Sequence, residues 1–210
     1  MNTQQQLINK LINTGVLKTP RIVRAFKDVD RIYFVRNQDK AIAYYDEALP
    51  IGFEATISQP TTVAIMLELL QPHKGDIILD VGSGSGWTSA LLSYIAGEEG
   101  MVYGVELILD LVKFSRNNLT KFYKAYSKQF RNLKLLQVKK DVLGLPNKAP
   151  FDKILVSASA QDLPQELVTQ LKSKGRLVIP VQHSIWKIDK NLNDDITKKE
   201  YPGFVFVPLR

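Results

Sequence analysis

The sequence predicts an α/β fold: a doubly wound, mostly parallel sheet with helices on both faces. From Asp76 onward, short apolar segments alternate with longer amphipathic ones, and a glycine turn follows the first apolar segment. Parallel strands need crossover connections, which helices usually supply. Five segments are predicted as strands: 77–81, 101–105, 133–138, 154–156 and 177–181.

An N-terminal helical segment precedes this alternation. Thr19 followed by Pro20 is typical of an N-cap and the first position of a helix. Ile22, Val23 and Phe26 would then face inward. Apolar residues at helical spacing predict an earlier helix as well: Leu7, Ile8, Leu11 and Ile12.

A closing β-hairpin is predicted after the core, from the apolar segments 185–188 and 204–207, which the polar stretch 189–201 separates. We therefore expect a single domain. Its parts would be a helical cap (1–49), an α/β core (50–182) and a C-terminal hairpin (183–210).

The composition fits one globular domain of 210 residues. No apolar segment approaches the ~18 residues that cross a bilayer, and the first residues lack the pattern of a secretion signal. The chain has no cysteine, which excludes disulfides, thiolate nucleophiles and cysteine-ligated metals. We expect a cytoplasmic monomer with no metal and no membrane partner.

The net charge of +7 comes from one region, because residues 111–140 hold nine basic residues and no acid. They are Lys113, Arg116, Lys121, Lys124, Lys128, Arg131, Lys134, Lys139 and Lys140. On a helix the first five share one arc, opposite Leu111, Leu119, Phe122 and Tyr126. We interpret this arc as a solvated helix face, with docking of nucleic acid or an acidic protein as the alternative.

A glycine loop follows the first strand of the core. Gly82, Gly84 and Gly86 give G-x-G-x-G rather than the dinucleotide pattern G-x-G-x-x-G. Asp80 would repel a pyrophosphate but could receive an ammonium group. The loop therefore favours S-adenosylmethionine as the ligand.

Two further acidic residues follow the ends of later strands. Glu106 could accept both ribose hydroxyls, and Asp141 could accept the adenine amine. Alone, the glycine loop could be only a turn, and Asp141 a helix cap or a surface carboxylate. Three acidic strand ends in register indicate a nucleoside site.

Five motifs run through nearly the whole chain in a fixed order. They are Leu-Pro-Ile-Gly at 49–52, Thr-Ile-Ser-x-Pro at 56–60, the glycine loop at 80–86, Gly-Arg-Leu-Val-Ile-Pro-Val at 175–181 and Phe-Val-Pro-Leu at 206–209. In this the chain resembles the protein-L-isoaspartate (D-aspartate) O-methyltransferases. The second motif is the most specific of the five.

The resemblance implies a Rossmann-like class I methyltransferase that methylates the free carboxylate of L-isoaspartyl residues, and D-aspartyl residues as a further acceptor class, in damaged proteins. The ester would then collapse to a succinimide, which starts repair. By the same resemblance Ser58 is the active-site hydroxyl, with Thr56 beside it. The implied cofactor contacts are Ala55, Ile57, Asp80, Gly82, Ser83, Gly84, Gly86, Glu106, Leu107, Asp141 and Val142.

The chain departs from the family pattern at three positions. Lys140-Asp141-Val142 stands where the family usually has Gly-Asp-Gly, so the backbone beside adenine is expected to turn less freely. Val63 occupies the position of a histidine found in some members. The sequence stops at Arg210, without the extension that often follows the last motif.

Methylation of a carboxylate needs no general base, because a carboxyl group is already ionised at neutral pH. His73 and His183 are accordingly expected to be surface or loop residues, and Ser58 to orient the reactants. We expect the acceptor peptide to contact Ser58, the loop 157–160 and residues 207–208. Two alternatives remain at this stage: a methyltransferase that acts on RNA or a small substrate, and a non-catalytic cofactor-binding module.

Overall fold

The computed structural model describes residues 3–126 and 131–210. A small antiparallel hairpin comes first, formed by β1 (Leu49–Gly52) and β2 (Ala55–Ile57). Seven strands then form the main sheet: β3 (Ile77–Val81), β4 (Met101–Glu106), β5 (Leu133–Gln137), β6 (Phe151–Val156), β7 (Leu171–Val181), β8 (Ser184–Lys190) and β9 (Ile196–Pro202).

The main sheet has the strand order β5-β4-β3-β6-β7-β8-β9, and the first five of these are parallel. This arrangement confirms the predicted fold class. The chain winds outward from β3 in one direction and then from β6 in the other, so β3 and β6 form the switch point. Ligands of such sheets bind at the carboxyl ends of the strands beside that point.

The described residues form six α-helices around the sheet: α1 (Gln4–Asn13), α2 (Pro20–Asp28), α3 (Pro60–Leu70), α4 (Trp87–Ala96), α5 (Leu109–Tyr126) and α6 (Gln165–Thr169). Both faces are covered, but unevenly. Residues of α1 to α5 share one apolar core, and α6 contributes Leu167 and Val168 to the other. Within the described ranges, no helix combines the length and the apolar character needed to cross a bilayer.

The second N-terminal helix begins where the sequence predicts. Thr19 is the N-cap of α2 and Pro20 its first residue, although the Thr19 hydroxyl donates to Glu68 at 2.6 Å and accepts no N–H from its own helix. Ile22 and Phe26 are buried, as predicted, whereas Ile12 is 39% exposed. On α5 the predicted apolar face is buried at Leu111, Leu119 and Phe122, and Tyr126 is 40% exposed.

The closing hairpin is partly wrong as predicted. β8 contains the predicted segment 185–188, but its partner β9 lies mostly inside the stretch predicted as a polar connection, and residues 204–207 form no strand. The side chain of Asn191 accepts the main-chain N–H groups of Asn193 and Asp195 at 2.8 and 3.0 Å. This turn reverses the chain directly after β8, so β9 begins earlier than predicted. An edge strand with exposed side chains needs no apolar pattern, so the sequence did not reveal it.

A buried arginine ties the N-terminal segment to the rest of the molecule. Arg31 is 2% exposed, and its Nη1 donates to the carbonyl of Ala43 at 2.5 Å. Its Nη2 donates to the carbonyls of Glu47 and Ser58 at 3.0 and 3.1 Å. The guanidinium carbon lies 5.4 Å from the centroid of the Trp87 ring. Burial lowers the pKa of Arg31 to about 10, so the group stays charged at neutral pH.

Replacing Arg31 by methionine is expected to lower the free energy of unfolding by about 2–4 kcal/mol, because three carbonyls lose a charged donor. Urea unfolding at neutral pH measures this. Arg36→Met is the matched control, since the Arg36 side chain forms an ion pair with the nearby Asp39, at 2.7 Å, and its loss should cost less than about 1 kcal/mol. Equal losses in the two variants would contradict a special role for Arg31.

Candidate functional site

A cavity of about 470 Å³ opens at the carboxyl ends of the parallel strands, beside the switch point. The hairpin β1–β2, the loops that follow β3, β4, β5 and β6, and the C-terminal segment 207–210 form its walls. All of the residues predicted for the site line it except Asp80, Gly86 and Asp141. The volume is in the range that holds small-molecule ligands.

The glycine loop forms one wall with its main chain. Gly82 and Gly84 have φ angles of 78° and 49°, in the left-handed region that favours glycine. The N–H groups of Gly82 and Ser83 both donate to the carbonyl of Val105, at 2.9 and 3.0 Å, which holds the loop against the end of β4. The Ser83 hydroxyl is buried and, among the described residues, has no hydrogen-bond partner.

Glu106 closes β4 and braces both neighbouring loops. Its Oε2 accepts the N–H of Gly84 at 3.1 Å, and its Oε1 accepts those of Leu107 and Ile108 at 2.8 and 3.1 Å. The residue is 9% exposed and lines the cavity. Each carboxylate oxygen has more than one lone pair, so the group can still accept hydrogen bonds from a ligand.

Asp80 lies behind the glycine loop rather than in the cavity wall. It is fully buried, and its Oδ2 accepts the hydroxyl of Ser89 on α4 at 2.5 Å. Its Oδ1 has no hydrogen-bond partner among the described residues. Burial raises the pKa of Asp80 to about 7; the nearby charge of Glu106 raises it further, and the Ser89 hydrogen bond opposes the shift.

Gly86 and Asp141 also lie outside the cavity wall. Gly86 has a φ of 85° and begins α4, and a Cβ there would lie 3.1 Å from the Cβ of Ser115 on α5. Its role in the fold is therefore to let α4 and α5 approach. Asp141 is an exposed turn residue, whereas Val142 beside it lines the cavity.

The residues around Ser58 form another part of the cavity wall. Ala55, Thr56 and Ile57 make up β2, and Ser58 follows it directly. The carbonyl of Ser58 is held by Arg31, while the hydroxyls of Thr56 and Ser58 have no hydrogen-bond partner within residues 3–126 and 131–210. These two hydroxyls are half-buried and border the cavity, so they are available to a ligand.

The side chain of Gln170, which the sequence analysis did not identify, holds the part of the cavity wall that follows β5. Gln170 is 4% exposed; its Oε1 accepts the N–H of Leu145 at 2.7 Å, and its Nε2 donates to the carbonyl of Leu143 at 2.9 Å. Gly144 has a φ of 80° and lies directly against this side chain, where a Cβ would come within 2.5 Å. The partners are 25 and 27 residues away, so no local pattern reveals them.

The cavity mouth contains further residues that the site prediction did not include. Phe53 and Glu54, at the tip of the β1–β2 hairpin, line it together with Arg210. Of the segments expected to meet the acceptor peptide, 157–158 and 207–208 line the cavity, whereas Ser159 and Ala160 do not.

The basic residues of the sequence are spread over different surfaces. Lys139 and Lys140 line the cavity. Arg116 instead donates to the carbonyl of Leu135, at the edge of the sheet. The exposed side of α5 carries Lys113, Lys121 and Lys124. Lys128 lies outside the described residues.

Solved structures show the same architecture. A Plasmodium falciparum protein described as a putative protein-L-isoaspartate O-methyltransferase, in complex with S-adenosyl-L-homocysteine, has a TM-score of 0.85 and 28% identity, over 100% of this chain and 99% of that one. A second structure, described as a protein-L-isoaspartate O-methyltransferase, shares the fold with a TM-score of 0.84 and 23% identity, over 99% of this chain and 66% of that one. Fold and cavity thus define a Rossmann-like class I methyltransferase.

Sequence comparisons identify the family. The model of the family "Protein-L-isoaspartate(D-aspartate) O-methyltransferase (PCMT)" matches residues 2–210. Relatives named protein-L-isoaspartate O-methyltransferase include one from Methanopyrus kandleri, 39% identical over 98% of this chain and 90% of that protein, and one from Thermococcus onnurineus, 39% identical over 96% and 90%. The chain belongs to the protein-L-isoaspartate(D-aspartate) O-methyltransferase family.

Replacing Asp80 by asparagine is expected to remove a pH-dependent loss of stability. Below about pH 4 the carboxyl holds its proton in both the folded and the unfolded chain, so it has no effect there. As the pH rises towards 7, the unfolded carboxyl ionises first, because the folded pKa is raised. The folded state then loses up to about 1.4 kcal/mol per pH unit from this group.

Urea unfolding of both proteins from about pH 5 to about pH 8 tests this. The free energy of unfolding of the wild type should fall relative to that of Asp80→Asn. Asp194→Asn is the control. Hydrogen bonds from the side chains of Ser173 and Lys190 keep the pKa of Asp194 below its ordinary value, so this carboxylate stays ionised throughout that window. Parallel profiles for wild type and Asp80→Asn would rule out the raised pKa.

Proposed function

We propose that this chain transfers a methyl group from S-adenosylmethionine to the free carboxylate of L-isoaspartyl residues, and of D-aspartyl residues as a second acceptor class, in damaged proteins. The observation that carries the proposal is that the Ser58 segment and the glycine loop with Glu106 line one and the same cavity. Family membership and the named relatives support it. We propose further that it acts as a cytoplasmic monomer.

The residues present fit S-adenosylmethionine. Gly82 and Gly84 offer bare main chain, and Glu106 offers two carboxylate oxygens for the ribose hydroxyls. The buried Ser83 hydroxyl and Oδ1 of Asp80 are polar groups that lack a hydrogen-bond partner in the described part of the chain. A cationic ligand nearby would favour the ionised form of Asp80, which therefore acts from behind the loop.

We assign the remaining cofactor contacts to the other predicted residues that line the cavity: Ala55, Ile57, Leu107 and Val142. Asp141 could reach the adenine only from the exposed turn beside Val142. Gly86 would serve the cofactor indirectly, by fixing the start of α4.

The bound cofactor supplies a methyl group activated by a positively charged sulfur. The protein then has to bind and orient the acceptor carboxylate, which is already ionised, so no general base is required. Ser58 can donate its hydroxyl hydrogen to that carboxylate, with Thr56 beside it. Positioning of two reactants can lower a barrier by roughly 7–11 kcal/mol, and apolar walls such as Ile57 and Leu111 exclude water.

The acceptor is a polypeptide, and main chain borders the cavity mouth. The N–H of Ser159 donates to the carbonyl of Val207 at 2.8 Å, and that of Leu209 donates to the carbonyl of Ser159 at 2.8 Å. These bonds join the loop after β6 to the C-terminal segment. Recognition through such a main-chain border would depend little on the acceptor's side chains. The methyl ester that leaves the site would close to a succinimide without further help from the chain.

Labelled cofactor and paired peptides that differ only in an aspartyl or an isoaspartyl linkage test the reaction. The isoaspartyl peptide is expected to gain a base-labile methyl ester, because its peptide bond uses the side-chain carboxyl and leaves the α-carboxylate free. The aspartyl peptide is expected to gain none. A parallel incubation with RNA tests the basic surface as an alternative. Equal labelling of both peptides, or label in RNA alone, would overturn the proposal.

Replacing Ser58 by alanine is expected to lower turnover on the isoaspartyl peptide by about tenfold to a hundredfold, because one oriented donor is lost from a water-poor site. Cofactor affinity, measured by calorimetry, should stay the same. The deficit should not vary with pH, since neither partner titrates near neutrality. Ser173→Ala, an exposed serine that donates to Asp194, is the matched control and should keep full turnover. Undiminished turnover in Ser58→Ala would remove Ser58 from the mechanism.

A further inference from the structure

The tip of the β1–β2 hairpin is a tight turn with an unusual backbone. The register pairs Gly52 with Ala55, so Phe53 and Glu54 are its two central residues. Their φ angles are 54° and 59°, and both therefore lie in the left-handed region. Turns of this type strongly favour Asn-Gly, because most other side chains crowd the backbone there. Among the described residues, no other two neighbours without glycine share this conformation.

Packing does not account for this choice of residues. Phe53 is 52% exposed, although it is a large aromatic residue. Glu54 is exposed and forms an ion pair with Arg210, and such exposed pairs add little stability. By contrast, the left-handed Gln71 ends α3 and bonds to Glu68, so its conformation has a local explanation. Backbone strain that no stabilising contact offsets is typical of functional positions.

The position of the tip indicates what it serves. Phe53 and Glu54 both line the cavity, and Ser58 lies four residues beyond Glu54 on the same wall. The contact between Glu54 and Arg210 joins the tip to the C-terminal segment across the mouth. An exposed aromatic ring beside a cavity entrance offers apolar surface to whatever enters.

We propose that Phe53 and Glu54 recognise the polypeptide that carries the acceptor carboxylate. The Phe53 ring packs against an apolar side chain next to the isoaspartyl residue. Glu54 lies beside that ring and pairs with Arg210, which lines the same cavity. This inference rests on the proposed function and adds a preference to it: an acceptor with an apolar neighbour binds more tightly than one with a polar neighbour.

The test compares wild type with the double variant Phe53→Asn, Glu54→Gly. Two isoaspartyl peptide pairs are used, which differ only in leucine or serine on the N-terminal or the C-terminal side of the isoaspartyl residue. In one of the two pairs, wild type should show a KM about tenfold lower for the leucine peptide, equivalent to about 1.4 kcal/mol. The double variant should lose this preference and keep its cofactor affinity. Its melting temperature should rise by a few degrees, because the backbone strain is relieved.

Two control variants separate recognition from stability. Lys174→Gly relieves a left-handed residue, with φ 65°, that does not line the cavity. Leu192→Asn removes an apolar side chain that is 69% exposed, in the turn between β8 and β9. Both controls should retain the preference for leucine. Wild type without any preference, or a double variant that keeps it, would overturn the inference.

A binding measurement distinguishes failure of this inference from failure of the proposed function. A fluorescent isoaspartyl peptide with the preferred leucine is titrated with protein saturated in S-adenosylhomocysteine. Binding about tenfold weaker in the double variant supports the role of the tip even if wild type methylates no isoaspartyl peptide, a result that would refute only the reaction. Equal binding by wild type and the double variant would refute the proposed role of the tip in recognising the acceptor polypeptide.

Discussion

The guanidinium of Arg31 is the interaction on which the geometry of the site depends. A buried charge must replace its lost hydration, and here three carbonyls and one aromatic ring do so. The planar fork of donors fixes the directions from which those carbonyls approach. One carbonyl belongs to Ser58, and the ring belongs to Trp87, the residue directly after the glycine loop. The Arg31 guanidinium therefore connects the Ser58 segment to the residue that follows the glycine loop.

Trp87 is itself fixed from the other side. Its indole nitrogen donates to the carbonyl of Val29 at 3.2 Å, and its ring meets the edge of Phe26 at 5.5 Å. The N-terminal helices thus do more than cover the core. They hold the first turn of α4, and with it the glycine loop, while Glu106 and Gln170 hold the loops that follow β4 and β5. These contacts are all internal to the protein, so they reduce the binding energy that must be spent on ordering the cavity walls.

Local patterns in the sequence predicted the parts of the structure that local physics controls. Apolar periodicity located the parallel strands, and glycines marked the loop because they adopt its left-handed backbone without steric cost. Arg31 escaped prediction since its partners lie 12 to 27 residues away. β9 escaped it because an exposed edge strand carries no apolar alternation.

The position of Asp80 follows from strand geometry once the neighbours of β3 are known. Side chains on a strand alternate between faces, so Asp80 shares its face with Ile78, beneath α4. The sequence identified the residue type at the strand end but not which face it occupies. Asp141 shows the same limit in a turn, where backbone angles and not composition set the direction of the side chain.

The edge of the sheet at β5 has a consequence for a protein whose substrates are damaged polypeptides. An open edge strand presents unpaired carbonyls that can accept hydrogen bonds from another extended chain. Arg116 reaches from α5 to the carbonyl of Leu135, with donor distances of 3.1 and 2.5 Å, and so occupies an acceptor at that edge. At the opposite edge, β9 presents Lys198, Lys199 and Glu200 instead of apolar residues. These features make both edges of the sheet poorly suited to pairing with an extended polypeptide.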